Sequence, residues 1–329
     1  MRPPIAAHPI FLHYRKQDCH SRCALLALLP SPAPMPTTEA AVSAGREVDR
    51  GRLLILAAAI LWSLAGVFIK FLRVPALTIV FYRSFFASLV FVFFVRRADW
   101  RFSAPILISV VSYTAAISAF VSANKLTTAA NAIVLQYTAP IFVFIFSRLV
   151  LGERISKLNG LALAASMIGV GIISLDSVGA PEMTGILLAL FSGVLFAAYM
   201  VNLSRIKEVS PVYLTWINNL VCALLLLWLV KSQLTLALGE ILILAVMGAV
   251  QLGIPYFLFS KGLRTVPLQE ASLIALIEPV LNPLWVALAV GEIPSVATLA
   301  GGGMILAGLG ARYVWPLLRR PADAARAVS

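Results

Sequence analysis

The sequence predicts an all-α membrane protein with ten transmembrane helices arranged as two inverted five-helix repeats, and three observations lead there. Of 329 residues, 60% are apolar and only 12% are charged, about half the charge content of a soluble domain. The apolar residues fall into runs of about 20, the length a helix needs to cross roughly 30 Å of hydrocarbon. The second half of the chain also repeats landmarks of the first. A mean hydropathy of +0.94 calls for lipid around the chain, since a soluble fold of this size still exposes about a quarter of its chain surface.

Residues 1–50 are rich in Pro, Ala, Ser and charge, and their one apolar stretch, Ala24 to Leu29, is too short to span. They read as a disordered cytoplasmic tail, with Met35 as an alternative start. Spanning runs follow near 53–72, 77–95, 105–124, 129–150, 157–175, 185–203, 212–230, 239–260, 268–290 and 295–316, and residues 317–329 form a second tail. Lys and Arg excess marks cytoplasmic loops. With the N-terminus inside, the inner segments hold Arg96, Arg97, Arg101, Arg148, Arg154, Lys157, Arg205, Lys207, Lys261, Arg264 and the basic C-terminal residues. The outer loops hold only Lys70, Arg73, Lys125 and Lys231. Both termini are therefore expected in the cytoplasm of a bacterial inner-membrane protein, with Ser103 inside and Ser177 outside.

The repeat appears when the halves are aligned. "GRLLILAAAILW" at Gly51 matches "GILLALFSGVLF" at Gly185; Pro75 falls on Pro211, Phe120 on Phe257 and Pro140 on Pro279. The Gly152-Glu153 pair falls on Gly291-Glu292, and Gly169 and Gly171 fall on Gly308 and Gly310. The repeats run over 51–176 and 185–316. An odd number of helices per repeat inserts the second copy from the opposite side, the architecture of alternating-access carriers with a midplane site.

These residues resemble the EamA-type families of the drug/metabolite transporter superfamily from Gly51 to Val314. The likeness rests on "LAAAILWS" with Trp62, "VFYRS" with Arg83 and "NAIVLQYTAPIFVFIFSRLVLGE" at Asn131 to Glu153, whose second copy is "EASLIALIEPVLNPLWVALAVGE" at Glu270 to Glu292. The resemblance implies a ten-helix bundle around a central cavity, with the fifth helix of each repeat at the periphery. It implies export or exchange of metabolites, amino acids or related organic solutes. The second repeat carries Asn219 where the first has Arg83, so the halves differ in charge.

Other function classes find little support. The net charge of +12 is spread between apolar runs without the aromatic-interleaved basic stripe of a nucleic-acid surface. All three histidines, at 8, 13 and 20, precede the first run, and the cysteines at 19, 23 and 222 have no metal-ligand spacing. That leaves an integral-membrane enzyme short of His-based nucleophilic, zinc or haem chemistry, and no cofactor is expected. A sensor or scaffold would append an output domain, for which no loop is long enough. Expected partners are a small-molecule substrate, with protons as a coupling ion, and the lipid bilayer.

Polar residues inside the membrane are costly and become site candidates by default. Arg83, about a third of the way into the second run, could meet a substrate carboxylate or simply form an ion pair or reach the outer interface. Gln136 and Tyr137 sit one turn before Pro140, which removes the amide that would bond the Gln136 carbonyl. Pro279 does the same for Ala275. Trp62, Tyr82, Tyr113, Tyr199 and Tyr256 offer rings and polar tips for a cavity, or ordinary packing. Asn219 and Gln251 offer amides, or interhelical glue. The cavity is expected between the repeats, lined by Trp62, Gln136, Tyr137 and facing residues of the sixth, eighth and ninth helices. Glu278, eleven positions into the ninth run, is the strongest candidate for recognition or proton coupling, since a carboxylate there must be paired, hydrated or protonated. Asn282, four residues on, is expected to donate to it; the structural alternative is pairing with Arg83. Glu153 and Glu292 end their helices where the bilayer gives way to water, and Glu153, among Arg148, Arg154 and Lys157, is expected in a surface ion pair; the Gly301–Gly303 and Gly308–Gly310 runs offer close packing or a homodimer face.

Overall fold

The computed structural model describes residues 38–152, 157–176, 183–297, 299–304 and 307–308. Expectations about the tails, Met35, Glu153, Arg154, Ser177 and Gly310 lie outside the described residues. The main unit begins at Glu47, and every described element is helical.

The elements are α1 (Thr38–Trp62), α2 (Ala65–Phe71), α3 (Ala76–Val92), α4 (Ala104–Leu126), α5 (Ala129–Gln136), α6 (Ala139–Phe146), α7 (Lys157–Asp176), α8 (Met183–Arg205), α9 (Pro211–Val230), α10 (Leu238–Val246), α11 (Ile254–Gly262), α12 (Leu268–Ile274) and α13 (Glu278–Val290). Helical residues continue at 296–297 and 299–304. Among the described residues, seven helices are long and apolar enough to cross a membrane, and two shorter apolar ones cover Ala76–Val92 and Leu163–Ile172.

Four of the expected runs are interrupted helices. At Pro140 and Pro279 the reason is local: each ring removes an amide and clashes with the preceding turn. Near the first, the Tyr137 amide is shared between the Ile133 and Val134 carbonyls and the Thr138 amide bonds Leu135. At the second, a 3₁₀ turn over Ala275–Ile277 lets the Glu278 amide take up the Ala275 carbonyl, so that carbonyl is not left free as expected. The eighth run widens into a π-helical segment at Met247–Gly253, just before Pro255, whose missing amide would have bonded the Gln251 carbonyl. The first run breaks at Ser63–Leu64 without any proline. There the Ser63 hydroxyl donates to the Ile60 carbonyl at 2.6 Å and accepts from Trp285 Nε1 at 2.9 Å.

The two Gly-Glu pairs mark matching helix stops. Gly152 and Gly291 are the positive-φ residues among those described, at φ 68° and 76°. That left-handed conformation is open to glycine at little cost.

Packing joins the start of each half to the fourth run of the other. α1–α2 runs beside α12–α13, tied by Arg52 Nε to Glu270 Oε1 (2.6 Å) at one end, Ser63 to Trp285 in the middle and Lys70 to Glu292 (3.1 Å) at the other. α8 runs likewise beside α5 and α6. A Cβ on Gly193 would come within 2.6 Å of the Gln136 carbonyl oxygen and 2.7 Å of Thr138 Oγ1, so only glycine permits that approach. α4 packs along α8 and α3 along α9. Glu292 also accepts from the Ala129 amide at 2.9 Å, capping α5, while Lys125 donates to the Leu72 carbonyl beside it. The ion pair expected of Glu153 falls outside the described residues; its counterpart Glu292 forms one with Lys70. At Gly302 and Gly303 an added Cβ would meet nothing within 4 Å among the described residues.

Candidate functional site

The interruptions converge on one interior cavity of about 30 Å³, lined by Trp62, Ala65, Arg83, Ile117, Phe120, Gln136, Phe196, Gln251, Leu252, Tyr256 and Glu278. Its polar residues come mostly from places where helices are broken or widened. Trp62 ends α1, Gln136 ends α5, Gln251 lies in the π segment and Glu278 opens α13. A regular helix buries its backbone groups in its own ladder, whereas an interrupted one turns polar groups toward a cavity without exposing them to lipid. The Gln251 side chain shows this directly, donating to the Trp62 carbonyl at 3.2 Å.

Arg83 and Glu278 are the two charged side chains that are buried among the described residues, at 2% and 6% exposure. They line the same cavity but form no ion pair with each other, which corrects the expected alternative of an Arg83-paired glutamate. Arg83 does not reach an interface either; its Nε and Nη1 are buried without a hydrogen-bond partner. α3 is held at this point by the π segment, because Gly248 sits directly on the Arg83 carbonyl oxygen, where a Cβ would clash.

The Glu278 carboxylate is engaged from across the bundle: the Tyr137 hydroxyl donates to its Oε2. The expected donor, Asn282, is not used. Its amide is fully buried with neither atom hydrogen-bonded, and it fills the gap left by Gly66, where a Cβ would come within 2.5 Å of Oδ1. Four-residue spacing places two side chains on one helical face, but the facing helix decides which group arrives.

An aromatic cluster surrounds the lining residues Trp62 and Tyr256. Tyr199 and Tyr256 pack 5.8 Å apart, Tyr113 lies 4.9 Å from Tyr256, and Trp62 meets Tyr256 at 4.9 Å and Phe196 at 6.0 Å. Asn219 accepts from the Tyr113 hydroxyl at 2.8 Å and donates to the Thr215 carbonyl at 2.8 Å, so it positions a ring and does not line the cavity. Tyr137, Tyr199 and Asn282 also lie outside the lining, while Tyr82 bonds the Leu234 carbonyl at 2.7 Å. Ala65, Ile117, Phe120, Phe196 and Leu252 line the cavity without any distinguishing sequence signal, apolar residues in apolar helices. Pro255 was a readable signal for the Gln251 segment.

Among the described residues no cluster of His, Cys, Asp or Glu could hold a metal. A cavity this size has room for one or two waters, and its walls offer ligand groups without a nucleophile–base arrangement.

Comparison with known proteins agrees with this architecture. The model of the EamA-like transporter family matches residues 49–175 and again 183–311. An "Uncharacterized transporter" of Archaeoglobus fulgidus is 30% identical over 262 residues, covering 79% of this chain and 94% of that protein. A crystal structure with 18% sequence identity superposes with a TM-score of 0.68, covering 80% of this chain and 97% of its own; at that identity the likeness concerns the fold.

Proposed function

Because this chain belongs to the EamA-like transporter family, we propose that it is a secondary transporter moving small organic metabolites, such as amino acids or related compounds, outward across the bacterial inner membrane. The observation that carries this reading is the small cavity beside broken helices, holding a guanidinium and a carboxylate inside an apolar bundle. Such groups are expensive in a membrane interior unless a solute pathway requires them.

In this reading the chain has ten spanning helices in two inverted repeats, 51–176 and 185–316, with cytoplasmic tails at 1–50 and 317–329. The matched Gly152 and Gly291 stops, and the exchange of partners between α1–α2 with α12–α13 and α8 with α5–α6, support it. Trp62, Arg83, Gln136, Gln251, Tyr256 and Glu278 contact substrate; Tyr137, Tyr199, Asn219 and Asn282 hold them in place. The Lys70–Glu292 and Arg52–Glu270 pairs close the outer and inner ends. About 30 Å³ does not admit a metabolite, so one closure must open and the site must widen for each loading step. Glu278 couples transport to protons, and the glycines at 302 and 303 serve a homodimer face.

Solute flux into proteoliposomes containing only this protein tests the reading. An enzyme or scaffold gives none. Gln136→Ala is expected to lower flux several-fold while the protein remains folded and monodisperse; unchanged flux would move the site elsewhere.

A further inference from the structure

Building on the transporter reading, we infer that the substrate carries a carboxylate and that Arg83 is its counter-charge. The cavity's own hydrogen bonding is unbalanced. Among the fully buried side-chain atoms of its lining residues, the unmet donors are Arg83 Nε, Arg83 Nη1 and Trp62 Nε1 and the unmet acceptor is Gln251 Oε1. The interior carboxylate that would be the natural partner of Arg83 is held by Tyr137. The titratable groups that act electrostatically on Arg83 are the phenols Tyr113 and Tyr256 and the thiol of Cys222, and the Tyr113 hydroxyl is already given to Asn219. No protein anion completes the guanidinium.

A buried, unpaired cation is unfavourable unless something brings the opposite charge to it. Water fits the space but brings no charge. A carboxylate supplies one negative charge and acceptor oxygens matched to guanidinium N–H groups. A phosphate dianion would set surplus negative charge in the same cavity as Glu278, and a cationic solute would meet Arg83 itself. The buried unmet acceptor on Gln251 leaves a place for an N–H or O–H of the same molecule. Trp62, Ile117, Phe120 and Phe196 provide an apolar wall for its body.

The test uses the full chain in proteoliposomes exposed to a soluble bacterial metabolite extract, with transported solutes identified by mass spectrometry. The solutes moved by the wild type above protein-free vesicles are expected to carry a carboxylate. Arg83→Gln should lower their flux about ten-fold or more, and Arg83→Lys should keep part of it. Wild-type transport of solutes lacking a carboxylate, or undiminished carboxylate flux in Arg83→Gln, overturns the inference while leaving the transporter reading intact. No flux of any solute in the wild type overturns both. If Arg83→Gln does not yield folded protein, the wild-type solute profile and Arg83→Lys decide: a carboxylate-free profile, or Arg83→Lys indifferent to whether the solute is an acid or its amide, overturns it.

Discussion

The Tyr137 hydroxyl donates to the Glu278 carboxylate across the bundle, joining the interruption at the end of α5 to the one at the start of α13. Two helix breaks that are separate events along the chain thereby become one structural unit at the cavity wall.

Removing the donor leaves a buried carboxylate without this partner. Tyr137→Phe is expected to cost about 1.5–3 kcal/mol, read as a lower melting temperature in detergent. Glu278→Gln keeps an acceptor for Tyr137 and should be milder in stability, yet it should abolish the pH dependence of flux, because an amide cannot gain or lose the proton. Wild-type flux with an unchanged pH profile in Glu278→Gln would make Glu278 a structural residue.

The close approach of α8 to the break after α5 depends on one missing side chain. Gly193→Val should destabilise by about 1–3 kcal/mol through overpacking, because its neighbours are a backbone carbonyl and Thr138. Gly303→Val, where an added Cβ meets nothing, should leave melting unchanged. Equal effects of the two would contradict the packing described here.

Glu292 and Lys70 each perform two tasks. Glu292 pairs with Lys70 and also caps α5 through the Ala129 amide, and Lys70 donates to the Thr127 carbonyl at 3.1 Å as well as pairing with Glu292. Glu292→Ala is expected to cost about 1–2 kcal/mol, and Lys70→Ala less than about 1 kcal/mol from the ion pair. Glu292→Gln, which keeps an acceptor for the Ala129 amide but not the charge, should cost less than Glu292→Ala; equal losses in thermal unfolding would show that the cap contributes nothing.

The charge asymmetry of the loops predicts a cytoplasmic N-terminus. In a background with Cys19 and Cys23 replaced by serine, and with Cys222 buried, a membrane-impermeant thiol reagent added from the periplasmic side should label Ser232→Cys and spare Ser103→Cys. Both positions are exposed, so the opposite pattern would invert the topology.

Several features were legible in the chain because the physics behind them is local. A proline removes its own amide wherever it stands, so breaks near Pro140 and Pro279 follow from position alone. Pro255 carried the same message for the segment around Gln251. The Gly-Glu pairs announced helix stops, since a left-handed residue at a helix end favours glycine. The break at Ser63 had no such sign; it is stabilised by Trp285, far away in sequence.

By itself, then, the sequence determined an all-helical membrane protein, the proline-marked interruptions and the short list of polar residues that lipid would not tolerate without cause. These follow from single residues meeting hydrocarbon, where every backbone group must be satisfied within its own segment. Only the tertiary structure decided that Tyr137 and not Asn282 meets Glu278, that Arg83 stays unpaired, and that Ile117, Phe120 and Phe196 face inward. Helices that are apolar on every side carry little periodic signal for which face turns to the bundle. In lipid that choice is made by close packing between segments distant in sequence, with glycines such as Gly66, Gly193 and Gly248 setting how near they come.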